Sequence, residues 1–317
     1  MEMTKEWLKK HCKEQHQYGT PALNDKLYLH FKGFHAIENL EEYTGLRALF
    51  VEGNAIDSLD GLQALVNLKC LFMQQNMVSE IEEGVLDTLT ELSNINLSNN
   101  NVKKLENMQN LTSLHTLQLA NNFLSSVAAI SHLSECPSIS VLDLSNNKID
   151  GTWEELSEML LTLPNLSVLY LQGNPIVNKI RFYRKNLIAK LAKLTYIDDR
   201  PVFPAERRCA EAWFAAGGGP AGLEAEREER VKMQEEKQAQ EDRQFEYMKR
   251  LCNRKQFDSN GEVIPQNPDD ESEDDEESAD DEEEPEELVA ARKKLAHLQA
   301  RAAGAGQQEH IELIQAK

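Results

Sequence analysis

Cys12 and His16 stand four residues apart, a spacing that puts a thiol and an imidazole on one face of a helix, as half of a zinc site would require. No further ligand is spaced to complete the set, so no metal is assigned. Gly217, Gly219 and Gly222 spell the G-x-G-x-x-G of a phosphate-cradling turn. That turn needs a strand before it and a helix of a nucleotide fold after it, and here no strand pattern precedes and a very polar segment follows. The five cysteines, Cys12, Cys70, Cys136, Cys209 and Cys252, are odd in number and include no C-x-x-C pair, which reads as reduced structural thiols. H-E-x-x-H, P-loop and nucleophile-elbow patterns are absent from the sequence. The expectation is therefore a protein with no catalytic, cofactor-binding or metal-ligating residues, whose chemistry is recognition.

The elements that would present such a surface are repeated. One phrase, L-x-x-L-x-L-x-x-N-x-I/V/L, recurs as Leu46-Leu49-Val51-Asn54-Ile56, Leu68-Leu71-Met73-Asn76-Val78, Leu92-Ile95-Leu97-Asn100-Val102, Leu114-Leu117-Leu119-Asn122-Leu124, Ile139-Leu142-Leu144-Asn147-Ile149 and Leu166-Leu169-Leu171-Asn174-Ile176. Successive asparagines lie 22, 24, 22, 25 and 27 residues apart, within the roughly 20–29 residues of a leucine-rich repeat. A degenerate copy precedes them, with Leu27, Leu29, Phe34 and Ile37 in the apolar positions and Lys32 in place of the asparagine. The alternate leucines of each copy would point inward from a short strand, and the asparagine amide would pair backbone groups that the following turn leaves open. The predicted fold is an α/β leucine-rich-repeat solenoid of six clear repeats and one degenerate N-terminal repeat, capped at both ends and followed by a charged helix and a disordered acidic tail.

The chain divides accordingly. Residues 1–22 hold a polar capping helix, read from Thr4 to Tyr18, and residues 23–199 hold the solenoid with its C-terminal cap. In that cap Asn174-Pro175 leads into Phe182, Tyr183, Leu187, Ile188, Leu191 and Leu194 at helical spacing, and Tyr196-Ile197-Asp198 returns as a last strand. The Tyr183-Arg184 pair after an Asn-Pro turn resembles the C-terminal cap of one class of these repeats. Residues 200–222 read as a linker that packs on the cap and ends in a flexible glycine joint. Residues 223–257 read as a solvated helix with i, i+4 pairs at Glu226–Arg230, Glu228–Lys232 and Glu246–Arg250. Residues 258–317 read as a disordered acidic tail with a short helix over Leu288–Arg301. Asp269–Glu287 alone carries 15 acids and no base, and such a run either solvates the chain or docks a basic partner. Ser272 and Ser278, each followed by acids, would suit an acid-directed kinase.

Strand residues that alternate with the buried leucines would line the concave face. Tyr28, Phe50, Phe72, Asn96, Gln118, Asp143 and Tyr170 form one column by this count, and Glu52 and Gln74 open the next. Exposed rings on a rigid sheet are typical of protein-binding hot spots, which makes Phe50 and Phe72 the leading contacts. Two readings remain open here: the rings bind a partner, or they merely stack on one another.

Composition narrows the partner. The 317 residues carry 54 acids against 34 lysines and arginines, a net charge of −20, which disfavours the phosphate backbone of nucleic acid and anionic membranes alike. No apolar run approaches the roughly 20 residues of a membrane span, and the charged start has no signal-peptide core. A cytosolic or nuclear protein that binds proteins is expected.

Beyond the generic repeat, Thr20-Pro21-Ala22-Leu23-Asn24, Leu27-Tyr28-Leu29-His30-Phe31-Lys32-Gly33-Phe34, Ile37-Glu38-Asn39-Leu40-Glu41-Glu42-Tyr43-Thr44-Gly45-Leu46, Leu194-Thr195-Tyr196-Ile197-Asp198-Asp199-Arg200-Pro201-Val202-Phe203-Pro204 and Cys209-Ala210-Glu211-Ala212-Trp213 resemble the dynein axonemal assembly factor family. The resemblance runs from about Met3 to Gly219 and lapses in the charged tail. It implies a non-enzymatic factor for cytoplasmic preassembly of axonemal dynein arms, hence for cilium or flagellum motility. The partners it implies are axonemal dynein chains and other dynein assembly factors or chaperones. The alternative is an acidic nuclear histone-binding or phosphatase-regulating leucine-rich-repeat protein. Lys179-Ile180-Arg181-Phe182 has the basic-apolar-x-aromatic form of a phosphatase-docking peptide, but such peptides bind extended and this one is expected within the cap helix.

Overall fold

The computed structural model describes residues 1–254, with side chains through residue 249; the acidic tail, the short helix expected over 288–301, Ser272, Ser278 and the last three residues of the expected charged helix lie outside the described residues. Helix α1 spans Lys5–Glu14, capped by the Thr4 side chain, which accepts from Trp7 N at 3.2 Å. Seven parallel three-residue strands follow: β1 Lys26–Tyr28, β2 Ala48–Phe50, β3 Cys70–Phe72, β4 Asn94–Asn96, β5 Thr116–Gln118, β6 Val141–Asp143 and β7 Val168–Tyr170. Each pairs with the next in strict sequence order, and β8 (Tyr196–Ile197) and antiparallel β9 (Arg200–Pro201) complete the sheet. Helix α2 (Trp153–Leu161) lies in the longest repeat, where Thr152 and Glu155 form a reciprocal capping box.

The middle residue of each three-residue strand is buried and its neighbours are half-exposed, apart from the exposed Lys26 at the sheet edge. The repeated leucines thus form a single column of core, Leu27, Leu49, Leu71, Ile95, Leu117, Leu142 and Leu169, none more than 2% exposed. Burying each such side chain contributes roughly 1.5–3 kcal/mol, and only a neighbouring repeat can bury it.

The turn after each strand is held by its asparagine. Asn122 shows the pattern: its Oδ1 accepts from Val102 N at 3.0 Å, and its Nδ2 donates to Leu97 O at 2.9 Å and Leu119 O at 3.0 Å. Asn76, Asn100, Asn147 and Asn174 repeat the same three bonds, each to its own turn and the one before. At the degenerate first turn the missing amide is supplied from outside, because Asn54 Oδ1 accepts from both Lys32 N at 3.0 Å and Phe34 N at 3.1 Å. At the far end Asp198, an acceptor only, closes the ladder by taking Leu171 N at 2.8 Å and Gln172 N at 3.0 Å. The residue before each ladder position has a left-handed backbone: Gly53, Gln75, Asn99, Asn121, Asn146 and Gly173. That requirement explains the Asn-Asn pairs at 99–100, 121–122 and 146–147.

Both sheet edges are covered. His11 Nε2 bonds Tyr28 O at 2.7 Å and Gln17 Nε2 donates to Lys26 O at 2.7 Å, so the first cap pairs carbonyls of the outermost strand. Trp7 sets its edge on Phe34 with ring centroids 5.0 Å apart, and Met3, Leu8 and Cys12 are buried beneath. At the other end α3 (Pro175–Lys179) and α4 (Tyr183–Lys190) are separated by a break at Ile180–Phe182, where Phe182 is left-handed with φ 57°. Arg184 forks onto Glu206 at 2.6 and 2.8 Å and donates to Ile197 O at 3.2 Å and Pro201 O at 2.7 Å. This gives the Tyr-Arg pair its role: the guanidinium stitches the last strand turn to the following helix. Burial and the Asp198 carboxylate push the neighbouring Tyr183 phenol well above its ordinary range.

The stretch read as linker carries β9 and α5 (Pro204–Ala215), and α6 spans Gly219–Arg254. Gly217, Gly218 and Gly219 are all left-handed, and a Cβ on Gly222 would come within 2.7 Å of Trp213. The glycine run is therefore the tight turn of a helical hairpin built around Trp213, and this packing accounts for the G-x-G-x-x-G spelling. The first turns of α6 are not solvated as expected: Glu226 is 5% exposed and is held by Lys185 and by Arg230 at 2.7 Å, while Arg208 bridges Glu229 and Glu236, each at 2.7 Å. Burial alone would raise the Glu226 pKa, but the two cations outweigh it and hold the carboxyl below its ordinary value. Lys232 lies 4.0 Å from Glu229, one residue away from the expected Glu228 partner.

A half-exposed aromatic column on the open sheet face

The strand registers align Tyr28, Phe50, Phe72, Asn96, Gln118, Asp143 and Tyr170 side by side, one per strand, on the face opposite the leucine core. All seven are half-exposed. Tyr28, Phe50 and Phe72 stack face to face, with centroids 4.8 and 4.7 Å apart and planes 21° and 10° from parallel. The stack occupies the faces of the central ring, and the ring edges make a flat apolar floor across three repeats. Beyond it the column turns polar. Asn96 Oδ1 accepts from Ser98 N at 3.0 Å, and Asp143 Oδ1 accepts from Ser145 N at 2.9 Å and Ser145 Oγ at 2.7 Å, so these two side chains are fixed by their own strands. At the far end Tyr170 lies 5.8 Å from Tyr196, and burial, with Tyr196 and Asp143 nearby, pushes the Tyr170 phenol upward.

Glu52 and Gln74 stand two residues beyond Phe50 and Phe72 and are also half-exposed. Their column begins with His30, whose Nδ1 lies 3.9 Å from Glu52 Oε1. Glu52 Oε2 and Gln74 Oε1 have no hydrogen-bond partner among the described residues. His30 was open to the same counting that gave Glu52 and Gln74, since it follows Tyr28 by two; the irregular first repeat, with lysine in the asparagine position, hid it. Phe31 is a second residue that periodicity passes over, because it sits in the turn rather than on the strand.

The residues first weighed for chemistry are not brought together. Cys12 is buried with its sulfur 3.6 Å from Tyr43 Oη, whereas α1 ends at Glu14 and His16 lies past it in a left-handed turn, so the two do not share a helix face. Among the described residues no three His, Cys, Asp or Glu side chains converge on a point that could hold a metal ion. Lys179, Ile180, Arg181 and Phe182 are not in one cap helix but straddle the break between α3 and α4. There Lys179 pairs with Asp150 at 2.5 Å, Ile180 is buried and Phe182 sets its ring 5.2 Å from Trp213. Among the described residues no helix is long and apolar enough to cross a membrane.

A family model of the leucine-rich repeat matches residues 9–118 and 86–223. A dynein axonemal assembly factor 1 homolog of Drosophila pseudoobscura pseudoobscura is 39% identical over 215 residues, 68% of this chain and 14% of that protein. The leucine-rich repeat-containing protein ODA7 of Chlamydomonas reinhardtii is 40% identical over 249 residues, 78% of this chain and 56% of that protein. The chain thus spans between about a seventh and about half of the length of these curated relatives. A solved internalin structure from Listeria monocytogenes superposes with a TM-score of 0.47 and 23% identity, over 55% of this chain and 47% of that one. With the asparagine ladder running through the matched residues, the chain belongs to the leucine-rich-repeat family, and the relatives it matches across the solenoid include a dynein axonemal assembly factor 1 homolog.

Proposed function

We propose that this chain is a non-enzymatic scaffold that binds proteins through the open face of its sheet and serves the cytoplasmic preassembly of axonemal dynein arms. The observation that carries the binding half is the Tyr28–Phe50–Phe72 stack, three rings left half-exposed on a surface where the fold needs no apolar side chain. The assembly half draws on the name of the dynein axonemal assembly factor 1 homolog matched across the same residues. The partners in this reading are axonemal dynein chains and other assembly factors or chaperones, and neither nucleic acid nor membrane is among them. The protein works in the cytoplasm and is associated with the cilium or flagellum through its product.

The test is complementation. In a ciliated cell deleted for its own counterpart of this protein, the wild-type chain should restore dynein arms, counted in axoneme cross-sections. A Phe50→Ala/Phe72→Ala variant, expressed at equal level, should not. Intact arms in the deletion itself refute the assembly role, and full rescue by the double variant refutes the open face.

A further inference from the structure

Every turn of the solenoid needs one left-handed residue before its ladder position, and six of the seven use Gly, Gln or Asn; the seventh is Phe31, with φ 52°. A bulky side chain is strained in that conformation. The Phe31 ring is also 67% exposed, so the strain is not offset by burial. Gly53 leaves room for it, since a Cβ there would lie 2.2 Å from Phe31 Cε1. Sequence and fold thus hold an aromatic ring at the rim of the sheet where asparagine would suit the backbone better.

That ring is joined to the open face. Phe31 meets His30 edge-on at 5.9 Å, His30 meets Tyr28 at 6.3 Å, and the Tyr28–Phe50–Phe72 stack continues inward. Beside this apolar strip run Glu52 and Gln74, two residues past the ends of the paired strands β2 and β3, whose spacing is about 4.8 Å. Glu52 Oε2 and Gln74 Oε1 are buried oxygens with no partner among the described residues, and the Glu52 carboxylate, its Oε1 3.9 Å from His30 Nδ1, brings a negative charge to the strip. Two side-by-side acceptors, one of them anionic, match the planar fork of a guanidinium. The strip of rings matches an aliphatic side chain next to it.

Resting on the reading of the open face as protein-binding, we infer that its N-terminal third, anchored by Phe31, receives a partner segment carrying an arginine beside a bulky aliphatic residue. Phe31 supplies the apolar anchor, Glu52 and Gln74 fix the guanidinium, and the stacked rings form the floor.

The test uses the full chain, immobilised and panned against a random-octapeptide phage library, with the winning peptide resynthesised and titrated by fluorescence polarisation. Arginine-aliphatic pairs should dominate the selected sequences. Replacing the peptide arginine by glutamine, or using Phe31→Asn or Glu52→Gln protein, should weaken binding at least about ten-fold. The melting temperature of Phe31→Asn should hold or rise by about 2 °C as backbone strain is relieved. Selection of no peptide, selection of acidic peptides, or equal binding by Phe31→Asn and Glu52→Gln overturns the inference. So does a fall in melting temperature of more than about 4 °C for Phe31→Asn, which would make the ring structural. If Phe50→Ala/Phe72→Ala alone abolishes peptide binding, this inference fails while the open-face reading stands; if neither pair of changes matters, both fail.

Discussion

The asparagine ladder makes a quantitative demand on position 122. Its side chain accepts one bond, from Val102 N at 3.0 Å, and makes its two shorter donor bonds to Leu97 O at 2.9 Å and Leu119 O at 3.0 Å, with a longer one to Ala120 O at 3.3 Å, in a site where Asn122 is 4% exposed. In Asn122→Ala the two carbonyls keep a second donor, because Asn100 also reaches Leu97 O at 3.0 Å and Asn147 also reaches Leu119 O at 2.9 Å. The Val102 N–H keeps none. One orphaned buried donor costs about 1–3 kcal/mol and each lost net bond about 0.5–1.5 kcal/mol, so the loss should be about 3 kcal/mol in urea unfolding followed by circular dichroism. Asn122→Asp is the sharper probe, since the aspartate keeps the acceptor for Val102 but turns an oxygen toward both carbonyls. Its folded-state pKa is raised, because only the protonated form can donate there. By linkage the stability it retains is present below the ordinary aspartate value of about 3.9 and is lost as pH rises through the raised folded value. At pH 7 Asn122→Asp should therefore be less stable than Asn122→Ala, with the gap closing at acid pH. An aspartate as stable as the native asparagine at pH 7 would refute the claim that the amide donors hold the turn.

Other perturbations probe the packing and the caps. Gly45→Ala places a Cβ 2.1 Å from the Ala22 carbonyl oxygen, backbone that cannot yield, and should cost about 2–4 kcal/mol in thermal or urea melts. Gly222→Ala drives a Cβ to within 2.7 Å of Trp213 O and should loosen the α5–α6 hairpin, read as a shift of tryptophan emission; an unchanged spectrum would count against the hairpin packing. Arg184→Lys forfeits the fork onto Glu206 and the bonds to Ile197 O and Pro201 O, so amide exchange across β8 and β9 should speed up about ten-fold or more. The Arg184 guanidinium holds the Glu206 carboxyl below its ordinary value of 4.5, so the stability from this pair is present above that value and is lost as pH falls through the depressed one. In Arg184→Lys the acid limb of the stability profile should flatten; an unaltered limb would show that the pair carries none of it.

What could be read from the residues alone follows from what repeats. The inward leucines, the asparagines and the outward columns recur at near-constant spacing, so Tyr28, Phe50 and Phe72 were legible as neighbours. The left-handed position was not, because Gly, Gln, Asn and Phe share no side-chain chemistry; they share only a backbone requirement, seen once φ is known at Gly53, Gln75 and Phe31. The hairpin after the cap was missed for a related reason. Glycine runs read as flexible joints by composition, and only the approach of Trp213 to Gly222 shows that these glycines make room for a side chain. Cys12 and His16 failed as a pair because helical spacing was extended past the true end of α1 at Glu14.

Stacking and binding are posed as rivals for the aromatic column when only the sequence is in view, and the geometry removes the opposition. Rings stacked at 4.7 and 4.8 Å have already lost their rotamer freedom on folding, locked by in-register parallel strands. A partner that lands on their exposed edges meets a surface that needs no further ordering, which spares about 0.5–1.5 kcal/mol for each side chain it would otherwise immobilise. On the proposed reading of this face the stack therefore favours binding, and removing the middle ring should cost more than removing either neighbour. Phe50→Ala frees both Tyr28 and Phe72, whereas Phe72→Ala frees Phe50 on one face only. Affinities for a captured partner that fall equally in the two single variants would mean that contact area alone, without the stack, supplies the binding energy.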